Sequence, residues 1–192
     1  MELMQAIKER RSIRKYRTDP IPDEMLNTIL EAARWAPSWS NTQSWRLVLV
    51  RNQETRNKLA GVLKSTRPGG INRASEAIRA VPVVIVACAE RGLSGILRAG
   101  DQVGKPATDK GEYWYMFDLG LAMQNLTLTA HSLGLGTVHV GMFEAAEVAR
   151  ILGLPDKIVP VELMPLGWPA EKSPVPPRKE MNQLVFQEKY PG

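Results

Sequence analysis

The chain reads as a single α+β domain in three layers around a four- or five-stranded sheet. Three observations lead there. Segments of helical and strand period alternate, yet the strand candidates are too few for a doubly wound sheet of six. One of them, Val83 to Ala89, is continuously apolar and largely β-branched, the pattern of a strand covered on both faces. One long segment, Tyr113 to Ser132, carries apolar side chains at three- and four-residue steps on nearly every face, so it belongs at the centre. With 192 residues, 44% hydrophobic and 23% charged, the chain can bury a sizeable core.

Each element has its own signal. Leu3, Met4 and Ile7 are helically spaced within Met1 to Arg10. Thr18 to Pro22 breaks the chain, and Pro22, Asp23 and Glu24 open a helix whose face is Met25, Leu26, Ile29, Leu30 and Ala33, ending before Pro37. A polar loop, Ala36 to Trp45, leads to a strand at Leu47 to Val50. Residues 53 to 66 read as a helix, Pro68-Gly69-Gly70 as a turn, and a further short helix reaches Pro82. Residues 91 to 110, Gly- and charge-rich without period, form an excursion or mobile loop. Gly134 and Gly136 end the long helix, and Thr137 to Val140 is a short strand. Glu144 to Leu152 is a helix closed by Gly153, followed by a strand at Ile158 to Leu166. The Pro-rich remainder cannot build a core, so it is disordered or an extended arm lying on something else.

Charge is focused. Lys8 to Arg17 holds six basic residues and one acid, a balance of +5. The whole chain has 25 Lys+Arg and 20 Asp+Glu, also +5, so the other 182 residues sum to zero. Arg10, Arg11 and Arg14 around Ser12 offer forked guanidinium donors and a hydroxyl, which suit a phosphate; a solvated helix end or a nucleic-acid patch remains the bland alternative. The single Cys88, inside an apolar run, excludes a disulfide framework and reads as a core residue. No apolar leader or membrane-length run is present, so a cytoplasmic location is expected, and two His with one Cys make a metal site hard to build.

Several chemistries lack their residues. No Gly-Lys-Ser/Thr follows a glycine loop, Gly134, Gly136 and Gly141 do not match the dinucleotide fingerprint, and no Ser stands in a strand-to-helix elbow. His131 and His139 read as structural or surface residues. Three polar clusters remain: Arg10 to Arg14, Ser38 to Gln43, and Arg178-Lys179 in the tail. Asn41 and Gln43 each offer a donor and an acceptor, as the edge of a heterocycle requires. Trp39 and Trp45 are candidates to stack on such a ring or to fill the core.

The order of these clusters resembles the nitroreductase family of FMN-dependent homodimeric reductases. Arg10 to Tyr16 resembles its Arg-x-Ser-x-Arg/Lys segment, and Ala36 to Trp45 its Ala-Pro-Ser-x-x-Asn-x-Gln-Pro-Trp loop, with Ser44 in place of the proline. Asp118 to Leu126 is similar to its central helix, Gly134-Leu135-Gly136-Thr137 with Gly141 to the strand passing the flavin, and Pro165 to Pro169 with Pro177-Arg178-Lys179 to its C-terminal signature. The resemblance implies one FMN-binding domain over 1–192, a mixed sheet, a lid at about 91–112 and an extended arm over 168–192. It implies that Arg10, Arg11 and Ser12 hold the FMN phosphate and ribityl chain, with Arg178 returning to the phosphate and Arg14 beside the pyrimidine. Ser38, Asn41 and Gln43 would reach the flavin from the other subunit, and the backbone of Val140 and Gly141 would approach N5. It further implies NADH or NADPH as donor, a nitroaromatic, quinone or related small acceptor in a ping-pong cycle, and no catalytic side chain. Neither nucleic acid nor membrane is expected as a partner. A same-fold flavoprotein doing dehalogenation or flavin destruction, or a basic nucleic-acid module, are the alternatives.

Overall fold

The computed structural model describes residues 1–65, 70 and 72–191, with only the backbone of Glu112. The turn expected at Pro68-Gly69-Gly70 falls on residues outside that set apart from Gly70. Among the described residues, six α-helices surround a four-stranded sheet: α1 (Leu3–Glu9), α2 (Asp23–Arg34), α3 (Gln53–Gly61), α4 (Arg73–Ala80), α5 (Trp114–Ser132) and α6 (Ala145–Leu152). The strands β1 (Trp45–Val50), β2 (Val83–Glu90), β3 (Gly136–Thr137) and β4 (Ile158–Gly167) lie in the order β1-β2-β4-β3. All three ladders are antiparallel, and the parallel component of the sheet is a single bridge, Ser12 to Thr137, at its β3 edge.

Period-2 alternation in β2 makes the three layers. Val83, Ile85 and Ala87 face α2 and α5, packed with Leu26, Ile29, Leu119, Met123 and Leu126. Val84, Val86 and Cys88 face the opposite layer, packed with Leu59, Ile78 and Val148 of α3, α4 and α6. β2 is thus fully buried as its apolar run foretold, because helices cover both faces of an antiparallel strand. The same burial pushes the Cys88 thiol up to about 12, leaving it an inert core group.

Local chemistry sets the ends of the elements. Asn52 and Asn72 cap α3 and α4 by accepting the backbone N–H groups of Thr55 and Ala74, and Gly153 closes α6 at φ +64°. α3 stops five residues short of the expected Thr66. Its continuation is drawn into pairing with the 142–143 segment, where Leu63 bridges Phe143 and the Lys64 N–H donates to Met142 O at 2.8 Å. β3 ends at Thr137, and Val140 rejoins the sheet alone through two bonds with Leu163. Residues 95–107 close on themselves as a short hairpin-like excursion, Leu97 N–H donating to Lys105 O and Ala107 N–H to Gly95 O. Beyond Ser173 the chain leaves the body, and 174–191 is exposed throughout, including Met181, Leu184, Phe186 and Tyr190.

Candidate functional site

The basic segment is fastened to the sheet edge by its own backbone. Ile13 N–H donates to Thr137 O at 2.9 Å, Arg17 N–H to Trp168 O, and Ala170 N–H to Lys15 O. Gly136 makes this seat possible, because a Cβ there would stand 2.8 Å from Ile13 Cγ1. Ile13 and Tyr16 point into the core, while Arg14 and Lys15 between them and Ser12 before them face outward along one groove.

That groove has two cavities. One, of about 420 Å³, is lined by Arg10, Arg11, His131, Gly134, Lys172 and Ser173 among others. The second, of similar volume, holds Ser12, Arg14, Lys15, Arg73, Glu76 and Glu171. Arg178 comes back from the arm close enough to Arg10 that the two repel: burial, then Arg11, then Arg178 hold the Arg10 guanidinium below its ordinary value. None of these three arginines meets a carboxylate in a salt bridge among the described residues. Arg11 Nε is buried without a partner, while its Nη1 donates to the carbonyls of Lys8 and Arg10. Glu9 and Glu171 line the same cavity without pairing to these arginines, and clustered cations with spare donors, Arg10 and Arg11 half-buried and Arg178 exposed, fit a phosphate.

Ser38, Asn41 and Gln43 stand elsewhere. Trp39–Asn41 is a single 3₁₀ turn, and Ser40, Asn41 and Gln43 have φ of +43°, +54° and +46°. Side chains at such angles cost about 1–3 kcal/mol each unless the surroundings enforce them. The surroundings do: Ser38 Oγ accepts the Gln43 N–H at 2.9 Å, Arg46 donates to Gln43 O, and Asp118 accepts the Trp39 N–H. Ser38 keeps its hydroxyl proton free to donate outward, and Asn41 and Gln43 are exposed, their amides linked at 3.2 Å. The cavity beside them contains Arg34, Trp35, Asn41 and Gln43 but nothing of the 10–14 segment, whose two cavities contain nothing of the loop. One protomer therefore carries two separate polar half-sites.

Val140 and Gly141 differ from expectation in detail. The Val140 N–H is committed to Leu163 O, so only Gly141 has a backbone donor without a partner among the described residues. A Cβ at Gly141 would meet nothing within 4 Å and its φ is ordinary, so no demand of the fold requires glycine there. Trp45 is core, and Trp39 tilts against Trp114 with centroids 5.0 Å apart. Ser44, in the position of the usual proline, is fully buried with an unpartnered hydroxyl.

Three side chains escaped the sequence reading. Arg73 and Glu76, in the first turn of α4, line the cavity of Ser12 and Arg14. Nothing local marks them, since their role comes from where α4 starts in space. His131, on the last turn of α5, lines the Arg10 cavity with Nε2 buried and unpartnered. Burial, with Arg10 and Arg11, holds its imidazole below 6.5, and Glu9 opposes them. The other histidine, His139, is exposed and bonds Glu162 at 2.7 Å.

The Nitroreductase family model matches residues 7–168, which span every element from the basic segment to Trp168. The chain belongs to the nitroreductase family. A "Putative NADH dehydrogenase/NAD(P)H nitroreductase" of Methanothermobacter thermautotrophicus is 34% identical, the alignment covering 89% of this chain and 79% of that one. An "FMN reductase [NAD(P)H]" of Bacillus subtilis is 30% identical, with coverage of 98% and 74%. The structure of the NADPH:FMN oxidoreductase from Vibrio harveyi complexed with NAD+ superimposes with a TM-score of 0.78 at 30% identity, covering 99% of this chain and 78% of that one. This nitroreductase-family chain is an oxidoreductase by descent, and none of its helices is long and apolar enough to cross a membrane among the described residues.

Proposed function

We propose that the protein is an FMN-dependent oxidoreductase that takes electrons from NADH or NADPH and reduces a small acceptor such as a nitroaromatic or quinone. It works as a homodimer with two shared sites. The observation that carries this is the split site: a groove of Arg10 and Arg11 with Arg178 near, none of the three in a salt bridge among the described residues, and a rigid amide loop that shares no cavity with it. Each half suits a different end of one flavin, so a complete site draws on two chains.

The residues fit the cofactor. Arg10, Arg11 and Arg178 would hold the phosphate, and Ser12 the chain next to it. Arg14, exposed on the rim of the second cavity with Arg73, favours negative charge at the pyrimidine edge. Ser38, Asn41 and Gln43 supply hydroxyl and amide partners from the second subunit, and Gly141 offers its backbone N–H, unpartnered among the described residues. When bound, FMN supplies the two-electron chemistry, accepting hydride and then passing electrons to the acceptor that replaces the nicotinamide. No side chain need act as acid or base.

The exposed apolar side chains support the dimer. Leu3, Met4 and Ile7 on α1, Met116 and Phe117 on α5, and Met181, Leu184 and Phe186 on the arm are uncovered in the protomer. The test is a visible spectrum of the purified protein, before and after NADH or NADPH without oxygen, with light scattering on the same sample. A dimer whose flavin bleaches is expected, and the faster nucleotide is the donor. A flavin that stays oxidised removes the reductase and leaves dehalogenation or flavin destruction; a protein that binds no FMN, or is monomeric, refutes the shared site.

A further inference from the structure

Asp118 is a buried carboxylate that the electron-transfer reading does not use. It lies in the first turns of α5, 1% exposed, and no cation pairs with it among the described residues. Its partners are neutral donors from two other segments. Oδ1 accepts the Trp39 N–H at 3.0 Å; Oδ2 accepts the hydroxyl of Ser94 at 2.6 Å and that of Thr42 at 3.4 Å. Ser94 is itself 1% exposed and begins the 91–112 excursion.

A buried anion held by neutral groups alone is a costly way to join three segments, and a neutral amide of the same shape would serve stability as well. What the carboxylate does that an apolar side chain would not is accept on both oxygens at once. It thereby holds the start and the end of the Trp39–Thr42 turn while gripping the excursion. That turn carries the left-handed angles of Ser40 and Asn41, which an unsupported chain abandons. The bond from Gln43 to Ser38 closes the loop on itself, and Asp118 is what fastens its Trp39–Thr42 turn to α5.

We propose that Asp118 is a positioning residue: it sets the Ser38–Gln43 loop in the geometry that receives the isoalloxazine of the partner subunit's flavin and couples that loop to the excursion through Ser94. This rests on the flavin reading above. The coupling has a direction, since displacing the excursion in one subunit loosens the ring-side wall of the site completed by the other.

The test compares FMN with riboflavin, which has the ring but no phosphate, by fluorescence quenching on the dimeric protein. Asp118→Ala is expected to weaken both ligands by the same factor, about tenfold or more, since a buried N–H and hydroxyl lose their acceptor. Asp118→Asn, which still accepts from Trp39, is expected to recover affinity to within about threefold. Ser94→Ala, which leaves the loop bond intact, is expected to cause a smaller loss shared by both ligands. Loss of FMN alone with riboflavin unaffected would place Asp118 at the phosphate end and overturn the proposal, as would Asp118→Asn binding as poorly as Asp118→Ala. If Asp118→Ala does not fold, Ser94→Ala decides, and wild-type affinity for both ligands overturns the coupling. Wild-type protein that takes up no FMN refutes the flavin reading itself, before any variant is made.

Discussion

Replacing Arg10 by methionine should push stability and ligand binding in opposite directions. The substitution keeps most of the aliphatic stem and removes the charge. In the ligand-free protein Arg10 is half-buried beside Arg11 and within reach of Arg178, with no salt bridge in return among the described residues. Its lowered pKa means that the fold disfavours the charged form, and at neutral pH arginine remains charged, so the penalty is fully present there. Stability from this group would return only as pH rises into the strongly alkaline range where arginine ordinarily titrates. Solvent screens a half-exposed pair, so relief is worth at most about 1 kcal/mol and raises the apo melting point by roughly 2–4 °C. FMN loses a charge-assisted bond worth about 1.5–3 kcal/mol, which is roughly a 10- to 150-fold rise in Kd. Scanning calorimetry of the apo protein and flavin fluorescence titration read the two numbers. An FMN affinity within twofold of wild type refutes the phosphate site; a melting point lowered by several degrees refutes the unpaired cluster.

Two further outcomes follow from orphaned polar atoms. The His131 imidazole is held below 6.5 by burial first, with Arg10 and Arg11 adding to it, so the fold favours its neutral form. Its contribution is complete above pH 6.5 and is lost as pH falls through the folded value; urea titrations at pH 7 and pH 5 should show a steeper loss in wild type than in His131→Asn, and equal losses refute the assignment. Ser44→Ala removes a buried hydroxyl that has no partner, and should stabilise by about 1 kcal/mol, read as a melting point about 2–4 °C higher. A lower melting point would mean that the buried hydroxyl is bonded within the fold and refutes this assignment.

Periodicity carried most of the architecture. β2 was legible because its eight residues satisfy two helical layers at once, and α5 because its apolar residues leave no wholly polar face. Boundaries failed where tertiary pairing won over local preference, as where Leu63 and Lys64 leave the helix to bond the 142–143 segment. The arginine cluster was legible as composition, because three arginines in two short segments carry their chemistry with them. Arg73 and Glu76 were not, since an isolated basic or acidic residue on a helix reads as solvated surface. Asp118 reads in the sequence only as part of a family-like helix, for the same reason: its importance lies in Trp39 and Ser94, 79 and 24 residues earlier in the chain. The excursion had no period to read because its order comes from backbone bonds across 95–107.

The two half-sites are also arranged in a way that explains how two chains could share them. Asp118, in the first turns of α5, holds the loop, and His131, in the last turn, lines the arginine groove. Thirteen residues of helix put these ends roughly 20 Å apart along the axis. One face of α5 is uncovered from Met116 through Phe117 and Gly120 to Gln124, and a Cβ at Gly120 would meet nothing within 4 Å. Two copies of α5 packed antiparallel about a two-fold would set the loop end of each beside the groove end of the other, completing two equal sites with one contact. Gly120→Arg places a long charged side chain inside that contact, at the level of residue 129 of the other copy. The variant should be monomeric by light scattering, keep the helical content of the wild type by circular dichroism, and lose both FMN and riboflavin affinity by more than Arg10→Met does for FMN alone. A Gly120→Arg protein that remains dimeric and flavin-loaded refutes the antiparallel α5 pairing; a monomer that retains full FMN affinity refutes sharing altogether, and with it the idea that the loop of one chain serves the groove of the next.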